Sequence, residues 1–242
     1  CLDPETPGLT ADLRWVSVAT LREGDLIAGF EDTPTKHPGG RFNLRQWQEA
    51  KVTGTMVITA PCFRLTFEDG TEFVCSDQHK WLTAGRHGGS GAARWVETKD
   101  LMPWTNGWRK GHRVLKVVEP WDMREVAANT YAMGYLAAAF DGEGHLSQHQ
   151  VPKGYWLTHL GFTQNRNPML DRVEQMLSEE GITIHTTRRV GDNCENKVVY
   201  GKDVIMRLLG MIRPARLMPK FSFDRLGGMA PCKDPVKLIK KE

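Results

Sequence analysis

No stretch of this 242-residue sequence is long and apolar enough to suggest a membrane span, and no basic-then-apolar leader opens it. The sequence therefore predicts a cytoplasmic chain with no membrane partner. Cysteine is scarce. Cys1, Cys62, Cys75, Cys194 and Cys232 form neither C-x-x-C pairs nor a dense framework, which suits a reducing compartment and argues against structural zinc. Net charge is small, 32 basic against 29 acidic residues or +3, too little by itself to imply a nucleic-acid partner. There is no internal repeat and no low-complexity tract. An initiating Met is also absent. A chain starting at Cys1 reads as drawn from a longer polypeptide, although a lipoprotein terminus, an N-terminal nucleophile and an arbitrary boundary begin the same way.

Among what is present, Cys1 is the side chain best suited to attack the peptide bond before it. A few per cent of an ordinary thiol is thiolate near neutrality, and the thiolate is the nucleophile. Residues 62–67 and 72–76 read as a hairpin about Asp69-Gly70, with Leu65, Phe67, Phe73 and Cys75 on one buried face. The hairpin ends in Ser76-x-x-His79. A hydroxyl and an imidazole at that spacing can converge on an amide preceding Cys1: His79 protonating the departing nitrogen, Ser76 polarising the bond. Taken alone, the same four residues also fit a turn carrying a surface His.

Residues 31–55 and 84–94, rich in Gly, Thr, Pro and charge, read as loops, and residues 113–119 as a strand. Further on, residues 157–165 read as a strand. Residues 168–180 read as a helix capped by Asn167 and ended by Gly181, with Leu170, Val173 and Leu177 inward. Residues 182–189 and 194–200 read as paired strands about Gly191-Asp192-Asn193, and residues 203–212 as a helix that stops before Pro214. Residues 188–216 hold seven basic against three acidic side chains. His145 and His149, four apart, fall on a predicted turn and strand rather than a helix, so they read as solvated or DNA-facing rather than as metal ligands.

The opening segment, Cys1-Leu2-Asp3 through Thr10-Ala11-Asp12 to Leu21-Arg22-Glu23-Gly24-Asp25, together with Ser76-x-x-His79, resembles an intein, a self-splicing Hint domain. The resemblance implies an all-β, horseshoe-like fold in which Cys1 begins an N–S acyl shift assisted by Ser76 and His79, with no cofactor. Its partners would be the flanking host segments, the exteins. Residues 235–242 resemble the strand leading into the last Hint block, yet no His-Asn follows, so a missing C-terminal intein segment is a further expected partner.

Tyr131-Ala132-Met133-Gly134-Tyr135-Leu136-Ala137-Ala138-Ala139-Phe140-Asp141-Gly142-Glu143-Gly144 contains, from Leu136 to Gly144, a run that resembles the LAGLIDADG motif of homing endonucleases. Asn129 or Thr130 is the expected cap, and Gly134, Ala137 and Ala138 offer a small-residue face to a second helix. The resemblance implies that Glu143, where Asp is commoner, is the catalytic metal ligand. Asp141 caps the helix end or joins the metal, and Mg²⁺ is the cofactor. Gln164 and Lys220 fall where the family places a polar and a basic residue near the cleavage site. Arg188, Arg189 and Lys197 are the expected contacts to double-stranded DNA. Only one motif is present, which implies a homodimer through that helix.

The expected fold class is thus a two-domain β plus α/β protein. A Hint splicing domain over residues 1–122 is interrupted by a LAGLIDADG endonuclease domain over 123–226 and resumed over 227–242. The alternatives are a non-splicing Hint autoprocessing domain and a DNA-binding protein with a degenerate nuclease.

Overall fold

The computed structural model describes residues 1–36, 43–84, 93–105, 111–121, 131–188, 194–229 and 235–242. The architecture is mixed and mostly β, with three helices among the described residues. Strands β1 (Pro7–Leu9) and β2 (Trp15–Ser17) pair antiparallel, as do β3 (Leu26–Phe30) with β6 (Trp47–Lys51) and the short β4 (Thr35–Lys36) with β5 (Asn43–Leu44). The region read as a loop over 31–55 therefore carries three short strands. Buried Trp47 anchors β6 opposite Phe30.

A six-stranded sheet follows, ordered β10-β9-β11-β16-β7-β8, from β7 (Cys62–Phe67), β8 (Glu72–Ser76), β9 (Lys80–Thr83), β10 (Arg94–Glu97), β11 (Arg113–Val114) and β16 (Val236–Lys241). The β7–β8 turn forms as the sequence requires. Gly70 takes φ +83°, and Asp69 Oδ1 accepts from the Thr71 amide at 3.0 Å. Leu65, Phe67, Cys75, Leu101 and Leu238 close a small core on this sheet. The strand expected over 113–119 stops at Val114, and its neighbour is β16, more than 120 residues later: Arg113 faces Lys237 and Val114 faces Val236.

Between those two strands lies a four-stranded antiparallel sheet, β12-β13-β15-β14, with α1 (Tyr131–Glu143), α2 (Pro168–Glu179) and α3 (Lys202–Ile212). The strands are β12 (Gly144–Gln150), β13 (Trp156–Asn165), β14 (His185–Arg188) and β15 (Cys194–Val199). Asn167 caps α2 by accepting from the Leu170 amide at 2.9 Å, and Gly181, at φ +68°, ends it. The helices cover one face of the sheet: Phe140 of α1 meets Phe162 of β13 with ring centroids 5.6 Å apart. The expected α1 caps, Asn129 and Thr130, lie outside the described residues.

The larger core joins both parts of the chain. Leu9, Leu13, Trp47, Leu82, Leu115 and Trp121 share it with the α1–α3 side chains. Trp121 lies flat against α3, where a β-carbon on Gly210 would fall 2.4 Å from the indole, and it meets Trp15 edge-on at 5.4 Å. Arg213, at the end of α3, donates to the Asp12 carbonyl at 2.7 Å and to its carboxylate at 3.0 Å.

Candidate functional site

Two sites take shape. The first is at Cys1. An isolated bridge sets Leu2 opposite Cys75, and the Ser76 amide donates to the Cys1 carbonyl at 2.9 Å. The Cys1 amino group donates to Ser76 Oγ at 2.6 Å. The turn after β8 then carries the chain to His79, whose amide donates to the Ser76 carbonyl at 3.2 Å and whose carbonyl accepts from the Thr98 amide and hydroxyl at 2.8 and 3.0 Å. The His79 ring stacks edge-on to Trp81 at 5.1 Å. Burial, and then the Cys1 ammonium, push its pKa down to about 4. The structure thus gathers Cys1, Ser76 and His79 into one place, with Ser76 buried and the Cys1 residue exposed.

The second site is the C-terminal end of α1. Met133, Leu136, Ala139 and Phe140 turn inward, while Gly134, Ala138, Gly142 and Glu143 stay exposed. The helix continues through Gly142 rather than breaking there. Gly144 passes directly into β12, and only glycine fits, because a β-carbon would lie 2.5 Å from the Phe140 carbonyl oxygen.

The two acidic residues diverge here. The Asp141 carboxylate accepts from the Ala215 and Arg216 amides at 2.9 and 2.8 Å. In return the Arg216 guanidinium donates to the carbonyls of Asp141, Gly144, Phe140 and Gly142 at 2.5, 2.6, 3.2 and 3.3 Å. Each Asp141 oxygen thus accepts one backbone amide and ties the end of α1 to residues 215 and 216, the helix-end role that was one of the two expected for it. Glu143 has no hydrogen bond or ion pair among the described residues, and no cluster of three His, Cys, Asp or Glu there could hold a metal.

Residues 130–213 match the LAGLIDADG-like domain family. The chain contains a LAGLIDADG-like domain. No curated protein matches the chain.

Strand register sorts the remaining expected residues of the LAGLIDADG-like domain. Leu160, Phe162 and Gln164 share the helix-covered face of β13, opposite Val199, Lys197 and Glu195. Lys197 is accordingly buried, paired with Glu174 of α2 and with Glu195 at 2.8 Å, and bonded to the Thr186 hydroxyl. Its ammonium is held against α2 rather than presented to solvent, unlike the exposed cation the expected DNA contact calls for. Gln164 bonds the Asn165 amide at 2.8 Å. Arg188 sits on β14 opposite Glu195, and Arg189 lies outside the described residues.

Lys220 is exposed and lines a cleft of about 490 Å³ with Leu146, Gln148 and Arg225. Arg225 escaped the sequence reading. Its amide donates to the Ser222 carbonyl at 3.3 Å, and Ser222 in turn exchanges hydrogen bonds with Gln148 at 2.9 and 3.0 Å. No hydrogen bond or ion pair among the described residues joins Glu143 to Gln164 or Lys220.

The opposite face of the sheet carries no helix among the described residues. His145, Ser147 and His149 of β12 line it with His159 and Thr163 of β13, Asn196 of β15, and His185 and Thr187 of β14. The His159 ring stands 5.9 Å from His145 and 6.0 Å from His149. Burial, then His159 and Arg216, hold His145 below its ordinary pKa, and burial, then His149, does the same to His159. No helix of the described residues is long and apolar enough to cross a membrane.

Proposed function

We propose that the LAGLIDADG-like domain is a homing-endonuclease-type nuclease that cuts duplex DNA as a homodimer, with one Glu143 from each copy. The observation that carries this is the free, exposed carboxylate of Glu143 at the end of a helix within the matched region, beside an Asp141 already spent on backbone amides. The exposed Gly134 and Ala138 leave α1 open to a second helix, and Gly134 has nothing within 4 Å of where its β-carbon would stand. One chain therefore offers half of a paired-carboxylate site. A divalent ion such as Mg²⁺ held between two Glu143 side chains would supply water activation and stabilisation of the leaving oxygen. The helix-free polar face, with its histidines, Thr163, Thr187 and Asn196, fits a major groove, which admits β-strands and offers donors and acceptors on base edges. Lys220 and Arg225 add cationic side chains for phosphates.

The test is cleavage of duplex DNA across protein concentrations. A dimer requires a rate that rises with the square of concentration at the dilute end. Cutting by a demonstrated monomer contradicts the paired site, and specific binding without cutting at any concentration favours the degenerate-nuclease alternative.

The Cys1 geometry favours a second activity in the same chain. An upstream residue joined to Cys1 would present its amide to Ser76 and His79 where the amino group now sits. His79, neutral at rest, would take the Cys1 thiol proton as the sulfur attacks the preceding carbonyl, and would return it to the nitrogen as the C–N bond breaks, leaving a thioester and a free amino group. This is the opening step expected of an intein over residues 1–122 and 227–242, with the DNA-directed unit of 123–226 between them. The β11–β16 pairing supports that division, because it seats the strands before and after the unit side by side. Thiol-dependent release of a peptide fused ahead of Cys1 tests the step. Release without ligation, even when a downstream segment is supplied, favours the non-splicing alternative.

A further inference from the structure

The β10–β9 register sets Glu97 opposite Lys80, and one step further it brings Thr98 beside His79. The Thr98 amide donates to the His79 carbonyl at 2.8 Å, and the Lys99 amide to the Asp77 carbonyl at 2.9 Å. The turn between Ser76 and His79 is therefore held from outside at two points. Thr98 opens a single 3₁₀ turn, Thr98–Asp100, and is fully buried, where a hydroxyl is costly unless it is hydrogen-bonded.

The Thr98 hydroxyl uses its whole capacity of one hydrogen and two lone pairs. It donates to the His79 carbonyl at 3.0 Å. With its hydrogen so committed, it accepts from Trp81 Nε1 at 3.0 Å and from the Cys75 thiol at 3.2 Å. Each partner bears on the Cys1 site. Trp81 is the ring that the His79 imidazole meets edge-on at 5.1 Å. Cys75 precedes Ser76 and bridges to Leu2, the residue after Cys1. The 3₁₀ turn is itself anchored by β16: Lys241 Nζ donates to the carbonyls of Thr98, Lys99 and Leu101 at 3.1, 2.7 and 2.9 Å.

We propose that Thr98 is a positioning residue for the Cys1 chemistry, its hydroxyl fixing the His79 backbone and the Trp81 ring together and so fixing where the imidazole stands relative to Cys1. The inference rests on the Cys1 reading and adds a residue to it. A misplacement of about 1 Å can slow a reaction about 10²-fold, so one hydroxyl two bonds removed from the imidazole has a measurable effect.

The experiment takes two readouts from the full chain. One is thiol-dependent release of a short peptide fused ahead of Cys1. The other is the NMR titration of the His79 ring in the unfused chain. Thr98→Val keeps the β-branched shape without the hydroxyl. It slows release about tenfold or more. It also raises the His79 pKa from about 4 towards its ordinary value, because a loosened ring gains water. Thr98→Ser keeps the hydroxyl and leaves both readouts near the parental values. Lys241→Met removes the anchor of the turn, moves both readouts in the same direction, and serves as the test where Thr98→Val does not fold. Parental release and titration in the variant tested overturn the proposal. Slowed release with an unmoved His79 titration also overturns it, by restricting Thr98 to stability. A parent that releases no peptide removes the Cys1 reading itself; the titration, which needs no chemistry, then separately upholds or overturns the hold of Thr98 on His79.

Discussion

The Cys1 amino nitrogen lies 2.6 Å from Ser76 Oγ, while the Ser76 amide holds the Cys1 carbonyl at 2.9 Å. One residue of β8 thus grips both ends of Cys1. With a short peptide fused upstream, Cys1→Ala abolishes thiol-triggered release because no nucleophile remains. His79→Ala slows release about 10²–10⁴-fold, the usual cost of a lost general acid. Chromatography of the released peptide reads both. Undiminished release from Cys1→Ala removes Cys1 from the chemistry.

His79 also makes stability depend on pH. Its folded pKa of about 4 lies below the ordinary 6.5, through burial and then the Cys1 ammonium. The unfolded chain therefore takes the proton first. The stability that neutral His79 contributes is whole above its ordinary value and is lost as pH falls from there towards the folded value. Thermal melting between pH 7 and 4 shows a falling Tm in the parent and a shallower fall in His79→Gln. Equal slopes contradict the burial of a neutral imidazole.

Arg216 holds the end of α1 through four carbonyls. Arg216→Ala costs about 1.5–3 kcal/mol in urea unfolding, the range for hydrogen bonds to a charged group. It also raises the Mg²⁺ concentration needed for half-maximal cutting, because Glu143 loses its fixed backbone. Arg216→Lys, without the guanidinium fork, recovers only part of either loss. Lost stability with an unchanged Mg²⁺ requirement restricts Arg216 to folding.

Cations in and after the matched region separate by burial. Lys220→Ala and Arg225→Ala each weaken DNA binding and lower the salt-dependence slope by about one. Lys197→Ala leaves that slope unchanged but destabilises the fold by about 3 kcal/mol, because Glu174 and Glu195 lose their shared partner. Binding titrations at several salt concentrations distinguish the two behaviours. A slope lowered by Lys197→Ala contradicts its burial against α2.

Features written in a few adjacent residues were legible in the sequence. Asp69-Gly70 announced its turn, and Asn167 and Gly181 bounded α2; Ser76-x-x-His79 alone also fitted a surface turn, and pointed to a hydroxyl and an imidazole beside Cys1 only together with Cys1 and the opening segment. Features set by pairing were not. Lys197 looked like a phosphate contact until the β13–β15 register placed it beneath α2. Trp47 sat in a stretch read as loop, and only its match to Phe30 on β3 makes a strand of it. Arg216 was one cation in a basic run, and Arg225 gave no signal. Their roles come from α1 and β12, over 70 residues earlier in the chain.

The most direct test of the DNA reading is cutting of a randomised duplex library with Mg²⁺, read by sequencing the new ends, for the parent and Glu143→Gln. The account predicts that the parent enriches one roughly palindromic cut sequence and that Glu143→Gln still binds that sequence but leaves it intact. Cutting by Glu143→Gln at the parental rate, or no enriched sequence from the parent at any protein concentration, contradicts it.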